Sequence, residues 1–132
     1  MSLVYLDASA LVKLVVAEPE SSALIEFLHG WPDRVSSALA LVEVPRVLRH
    51  ARFGAAERQR ARRLLARLAL IDVDRRILGM AAACEPPELR TLDAIHLATA
   101  LAVREDLAGL VTYDRRLATA AERVDVEVLS PS

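Results

Sequence analysis

The sequence predicts an α/β protein: a three-layer α/β/α sandwich with helices on both faces of a mostly parallel central sheet. Two observations carry this. Short apolar runs of strand length recur along the chain, and the stretches between them repeat their apolar residues at helical spacing. A third sets the scale. The 132 residues are 54% hydrophobic, enough for one domain with a real core, and 4% aromatic, so that core is aliphatic.

Taken in order, Ser2 to Leu6 is a strand buried on both faces, and Asp7 or Ser9 is placed to cap a helix from Ala10 to Val16. Glu18-Pro19-Glu20 ends it. A second helix runs from Ser21 to His29, with Leu24, Ile25 and Leu28 on one face, before the turn Gly30-Trp31-Pro32-Asp33 and a strand from Arg34 to Ser36. Ser37 caps a long helix from Ala38 towards Phe53, with Gly54 at its left-handed end. Pro45 falls inside that helix, where a missing N–H should bend it.

Ala55 to Ala69 is amphipathic, with Ala61, Leu64, Leu65 and Leu68 inward and arginines outward. Leu70 to Val73 reads as the third strand and Arg75 to Cys84 as a helix stopped by Pro86-Pro87. Thr91 caps a helix from Leu92 to Arg104. Gly109 to Thr112 is a strand, Arg115 to Glu122 a helix, and Val126 to Leu129 the last strand. No repeat, linker or low-complexity segment divides this single domain, residues 1–132.

Four acids sit where folding alone would not put charge. Asp7 closes Leu3-Val4-Tyr5-Leu6, Glu43 interrupts Leu39-Ala40-Leu41-Val42, Asp93 lies inside Leu92-Asp93-Ala94-Ile95-His96-Leu97, and Asp114 follows Leu110-Val111-Thr112-Tyr113. In an open parallel sheet, ligands bind beyond the carboxyl ends of the strands. Asp7 and Asp114 both follow a strand, and Asp93 opens a helix, so topology sends all three to that edge. Glu43 lies one to two turns into its helix, and its longer side chain can make up the distance.

Two carboxylates about 4 Å apart repel by about 4 kcal/mol at an effective dielectric near 20. A cluster of four therefore calls for a cation. Hard oxygen donors without a Cys/His set favour Mg²⁺ or Mn²⁺ over zinc, and such a site suits water activation at a phosphodiester. Ser9 and Thr112, each two residues from an acid, could hydrogen-bond a carboxylate or a phosphate; Ser9 could equally serve only as a helix cap.

These residues also carry a family resemblance. Tyr5-Leu6-Asp7-Ala8-Ser9-Ala10-Leu11-Val12-Lys13-Leu14, Ala40-Leu41-Val42-Glu43-Val44, Leu92-Asp93-Ala94-Ile95-His96-Leu97-Ala98-Thr99-Ala100 and Leu110-Val111-Thr112-Tyr113-Asp114-Arg115-Arg116-Leu117 resemble, in order, the four acidic motifs of PIN-domain proteins, in particular the VapC-type toxins. The resemblance covers nearly the whole chain. It implies a PIN-like α/β fold and an Mg²⁺- or Mn²⁺-dependent endoribonuclease that acts on RNA as the toxin of a toxin–antitoxin pair. It further implies inhibition by a small cognate antitoxin and homodimerisation. By position Asp7, Glu43, Asp93 and Asp114 match the acidic quartet, with Ser9 and Thr112 its polar neighbours.

Other readings stay open. A PIN-type RNA-processing nuclease would lack the antitoxin, and a short overlapping upstream reading frame would tell the two apart. A catalytically silent binding module has no need of four acids. A phosphotransferase of the haloacid-dehalogenase type would use Asp7 as nucleophile but usually has a second Asp two residues on, where this chain has Ser9.

His96, three residues after Asp93, is either a general base or a packed residue behind the acids. Lys13, the chain's only lysine, either meets phosphate or an acid, or snorkels to solvent. Residues 46–67 hold eight arginines against Glu57 alone, a local excess of +7 in a chain whose net charge is −1. Arg46, Arg49 and Arg52 head that stretch as an RNA or partner surface, or as a solvated helix face. The apolar positions Leu11, Val12, Val15, Val16, Leu24, Ile25 and Leu28 serve core packing or a groove for a partner helix. With Cys84 as the single cysteine no internal disulfide can form, and no apolar run reaches membrane-spanning length. A cytoplasmic protein is expected.

Overall fold

The computed structural model describes residues 2–132. Five strands, β1 (Leu3–Leu6), β2 (Asp33–Ser37), β3 (Ala69–Ile71), β4 (Leu107–Val111) and β5 (Val128–Leu129), form one sheet in the order β3-β2-β1-β4-β5. All four pairings are parallel. Seven helices join them: α1 (Ala8–Val15), α2 (Ser21–Leu28), α3 (Ala40–His50), α4 (Ala55–Arg67), α5 (Arg75–Ala82), α6 (Thr91–Ala102) and α7 (Arg115–Arg123).

The two-residue period of the strands sorts the core into layers. On β1, Val4 and Leu6 face one side, where they pack with Leu11, Leu24, Val44, Leu48 and Leu65 from α1 to α4. Tyr5 faces the other, with Leu97 and Ala100 of α6 and Leu117, Ala120 and Ala121 of α7. Ile77 of α5 packs on Ile95 and Ala98 of α6. The result is the expected three-layer α/β/α sandwich. Of the apolar positions offered to a partner helix, Leu11, Val15, Leu24 and Leu28 are absorbed by this core, while Ile25 stays exposed.

Several boundaries differ from the sequence expectation. Asp7, not Ser9, caps α1, accepting the Ala10 N–H through its side chain at 3.0 Å. Neither Ser37 nor Thr91 caps a helix: Ser37 ends β2 and accepts the Leu39 N–H (3.1 Å), and Thr91 is the first residue of α6, behind Arg90. Helix α3 starts at Ala40, which puts Glu43 in its first turn rather than deeper. The helix continues through Pro45. The carbonyl that loses its partner there is that of Leu41, an exposed residue, so water can satisfy it.

Gly54 does not end α3. It precedes α4, its N–H bonded to the Glu57 carboxylate at 3.1 Å. The left-handed position belongs to Arg52 (φ 60°), with Arg52 N–H donating to Arg49 O (3.1 Å) and Phe53 N–H to Leu48 O (2.9 Å), the paired bonds of a Schellman end. A β-carbon is strained in that conformation. Arg52→Gly is therefore expected to raise the unfolding free energy by up to about 1 kcal/mol, read from urea melts; unchanged or lower stability would count against it.

Candidate active site

β1 and β4 lie side by side at the centre of the sheet. From β1 the chain passes to α1 on one face, and from β4 to α7 on the other. This is the switch point where open α/β sheets form a crevice. Asp7 and Asp114 emerge from the two sides of it.

Asp7 is 3% exposed and fully hydrogen-bonded. Its Oδ1 accepts from the Ala10 N–H (3.0 Å) and the Ser9 hydroxyl (2.7 Å), and its Oδ2 accepts from the Thr112 hydroxyl (2.6 Å). The same hydroxyls tie the far side of the crevice. Ser9 Oγ accepts from the Tyr113 N–H (3.0 Å), and Thr112 Oγ1 accepts from the Asp114 N–H (3.0 Å). Ser9 and Thr112 thus clamp one carboxylate from opposite ends of the sequence. Burial raises the Asp7 carboxyl above its ordinary range, against the hydrogen bonds from Thr112, Ser9 and Ala10.

Asp114 caps α7 through Oδ1, which accepts from Arg116 N–H (2.9 Å) and Leu117 N–H (3.3 Å). Asp93, in the first turn of α6, is partly buried. Its carboxyl is pushed up by burial and then by the negative charges of Asp114 and Asp7, which places the three acids in one another's field. Among the described residues no lysine or arginine forms an ion pair with any of them.

Glu43 reaches the same crevice through His96. Its Oε1 lies 2.7 Å from His96 Nε2, and His96 Nδ1 lies 2.7 Å from the Tyr5 hydroxyl. With Glu43 ionised, Nε2–H donates to the carboxylate and the phenol donates to Nδ1, so a neutral imidazole satisfies both neighbours. Burial, with the charges of Asp7 and Glu43 adding to it, raises the Tyr5 phenol and keeps it a donor. His96 is itself buried, enclosed behind the acids rather than presented to solvent. Tyr5 is a neighbour of this site that sequence reasoning does not reach; its one signal is a hydroxyl in an otherwise aliphatic strand.

Among the described residues no group of three or more acid, histidine or cysteine side chains is arranged, as it stands, to hold a metal ion. The donor set nevertheless suits a hard cation. Mg²⁺ keeps several waters and commonly binds through one or two carboxylates together with substrate phosphates, so an open acidic crevice fits it better than a closed one. Asp93, Asp114 and Asp7 would hold it, with Glu43 at the margin.

A pH dependence follows. A carboxyl raised on folding binds its proton more tightly in the folded state, so its stabilising contribution is present at low pH and lost as pH climbs through the folded value. In EDTA, Asp93 and Asp7 should thus favour the folded state as pH falls towards the ordinary carboxylate range, and Asp93→Asn should remove part of that dependence. Identical melting-temperature profiles for the two proteins would contradict it.

The remaining candidates are placed as follows. Lys13 turns away from the acids, pairing with Glu20 (3.0 Å) and Glu18 (3.6 Å) and lying 4.8 Å from the centre of the Tyr113 ring. Arg46, Arg49 and Arg52 are exposed. Arg58 and Arg60 are tied to the Phe53 and Val15 carbonyls.

A parallel sheet with carboxylates gathered at its central switch point defines the class: an open α/β protein with an acidic crevice. The PIN domain profile matches residues 4–123. The chain is 51% identical over 132 residues, spanning both sequences entirely, to Ribonuclease VapC46 of Mycobacterium tuberculosis, and 41% identical over 133 residues to Ribonuclease VapC35 of the same species, covering 98% of this chain and 97% of that one. The chain belongs to the PIN-domain family, in its VapC group. A chain from a toxin–antitoxin complex of Klebsiella pneumoniae shares the fold with a TM-score of 0.73 at 23% identity, covering 98% of each.

Proposed function

We propose that this chain is an Mg²⁺- or Mn²⁺-dependent endoribonuclease and the toxin of a toxin–antitoxin pair. The observation that carries the chemistry is the placement of Asp7 and Asp114 after the adjacent central strands β1 and β4, with Asp93 of α6 in their field and no ion pair to any of the three among the described residues. The names of the full-length relatives supply RNA as the substrate class, and the toxin–antitoxin complex with the same fold supports a small antitoxin as partner. Homodimerisation is proposed from the family resemblance. No helix among the described residues is long and apolar enough to cross a membrane, and the lone Cys84 suits a reducing cytoplasm.

A bound divalent ion supplies Lewis acidity at the phosphate and lowers the pKa of water. The chain's own residues fix the frame. Ser9, Thr112 and the Ala10 N–H hold Asp7 in one rotamer, the α7 N-terminus orients Asp114, and His96 aims Glu43. Such preorganisation matters because misplacement by about 1 Å can cost about 100-fold in rate.

The test is RNA cleavage by purified protein with Mg²⁺, with Mn²⁺ and with excess EDTA, alongside co-purification with the product of a short adjoining reading frame. Cleavage is expected with either metal and loss to background in EDTA. An undiminished rate in EDTA overturns the metal reading.

A further inference from the structure

A groove of about 430 Å³ runs between the Pro86–Leu89 segment and α7, lined by Arg115, Arg116, Thr119 and Arg123, with Pro86, Leu89 and buried Ala120 as its apolar floor. It begins at the residue after Asp114, so its mouth adjoins the acidic crevice. All three arginines are exposed, and none forms an ion pair among the described residues; the single acid lining the groove is Glu88. From Arg115 to Arg123 the helix advances about 12 Å.

The second arginine-lined groove is differently placed. Arg34, Arg60, Arg63 and Arg67 line it, but Arg34 is near the amino end of β2, on the opposite edge of the sheet from the acids. Two of its guanidiniums are spent on backbone, Arg34 on Trp31 O (2.7 Å) and Leu28 O (2.6 Å), and Arg60 on Val15 O (3.1 Å).

We propose that the α7 groove seats the RNA strand on one side of the cut, with backbone phosphates on Arg115, Arg116 and Arg123 and a base against Pro86, Leu89 and Ala120. The inference rests on the ribonuclease reading and deepens it. Free guanidinium forks are suited to phosphate, and an apolar floor accepts any base face, so the subsite favours a single strand over a duplex. It also adds a second arginine surface to the one on α3.

The test uses the Asp7→Asn protein, which should bind RNA without cutting it, and a short fluorescein-labelled single-stranded RNA of mixed sequence read by anisotropy. Removing Arg116 and Arg123 together (R116A/R123A) should weaken binding about tenfold at low salt. It should also reduce the slope of log affinity against log salt by about 1.4, that is, about 0.7 for each phosphate no longer neutralised. Thr119→Glu, which adds negative charge without removing an arginine, should also weaken binding. R63A/R67A in the other groove should leave affinity and slope unchanged. With Asp7 restored, R116A/R123A should raise KM and leave kcat within about twofold.

An unchanged slope in R116A/R123A and unchanged affinity in Thr119→Glu overturn the subsite while leaving the ribonuclease reading in place. If poly-glutamate, measured in parallel, loses binding in R116A/R123A while RNA binding stays intact, the groove is reassigned to an acidic protein partner, which likewise overturns the subsite. Failure of the Asp7→Asn protein to bind RNA at all takes the ribonuclease reading down with it.

Discussion

Asp7→Asn is expected to reduce RNA cleavage by about a thousandfold or more, equivalent to about 4 kcal/mol of transition-state stabilisation, and to relieve growth arrest when the protein is expressed. The substitution is nearly isosteric. An Asn side-chain oxygen can still accept from Ala10 and Ser9, so the cap of α1 survives. What disappears is the one negative charge held between both halves of the crevice. Burial already disfavours that charge in the metal-free protein, so the variant should melt no lower than the parent in EDTA. A folded Asp7→Asn protein with full activity would contradict the assignment. An unfolded one would leave the charge-conserving Asp7→Glu as the informative variant, expected to fall below about a tenth of the parent rate because its extra methylene displaces the carboxylate.

His96→Leu is expected to cost about 2–4 kcal/mol of stability, the largest such effect outside the apolar core. It removes the donor to Glu43 and the acceptor for Tyr5 in one step, leaving a largely buried carboxylate and a buried phenol to find new partners. Leu is similar in volume, so the loss reflects unmet polar groups and not a cavity. Chemical denaturation measures it. His96→Gln, which retains a donor, should recover part of the loss, and Tyr5→Phe, which removes only the phenol, should cost less than His96→Leu. A His96→Leu protein as stable as the parent would show that water replaces both bonds. Because His96 aims Glu43, cleavage should also fall in His96→Leu and return in part in His96→Gln.

The acids are legible because each is a charge placed against an apolar run: Asp7 after β1, Asp114 shortly after β4, Asp93 at the start of a helix whose flanks are Leu and Ala. Alternating strands and helices then dictate a parallel sheet, and the parallel sheet dictates the edge. What escapes is of another kind. The bond between Tyr5 and His96 spans 91 positions and leaves no periodic trace. Gly54 looks like a helix end because glycine usually takes the left-handed position, yet Arg52 takes it, with Leu48 and Phe53 packed in or against the same core cluster beside it. Ser37 and Thr91 have the right chemistry for caps but sit one step inside a strand and a helix. Local propensity names the candidates; tertiary packing chooses among them.

The sheet order has one more consequence. Its middle pairs β1 with β4, strands about a hundred residues apart in the sequence. Until residues near 112–114 have left the ribosome, Asp7 lacks the Thr112 hydroxyl and its acidic neighbour, and the crevice has only one wall. On the proposed function, a nascent chain is therefore expected to be inactive until that point, and a truncated one to stay so. For a toxin of the kind proposed, the strand order would double as a delay fuse.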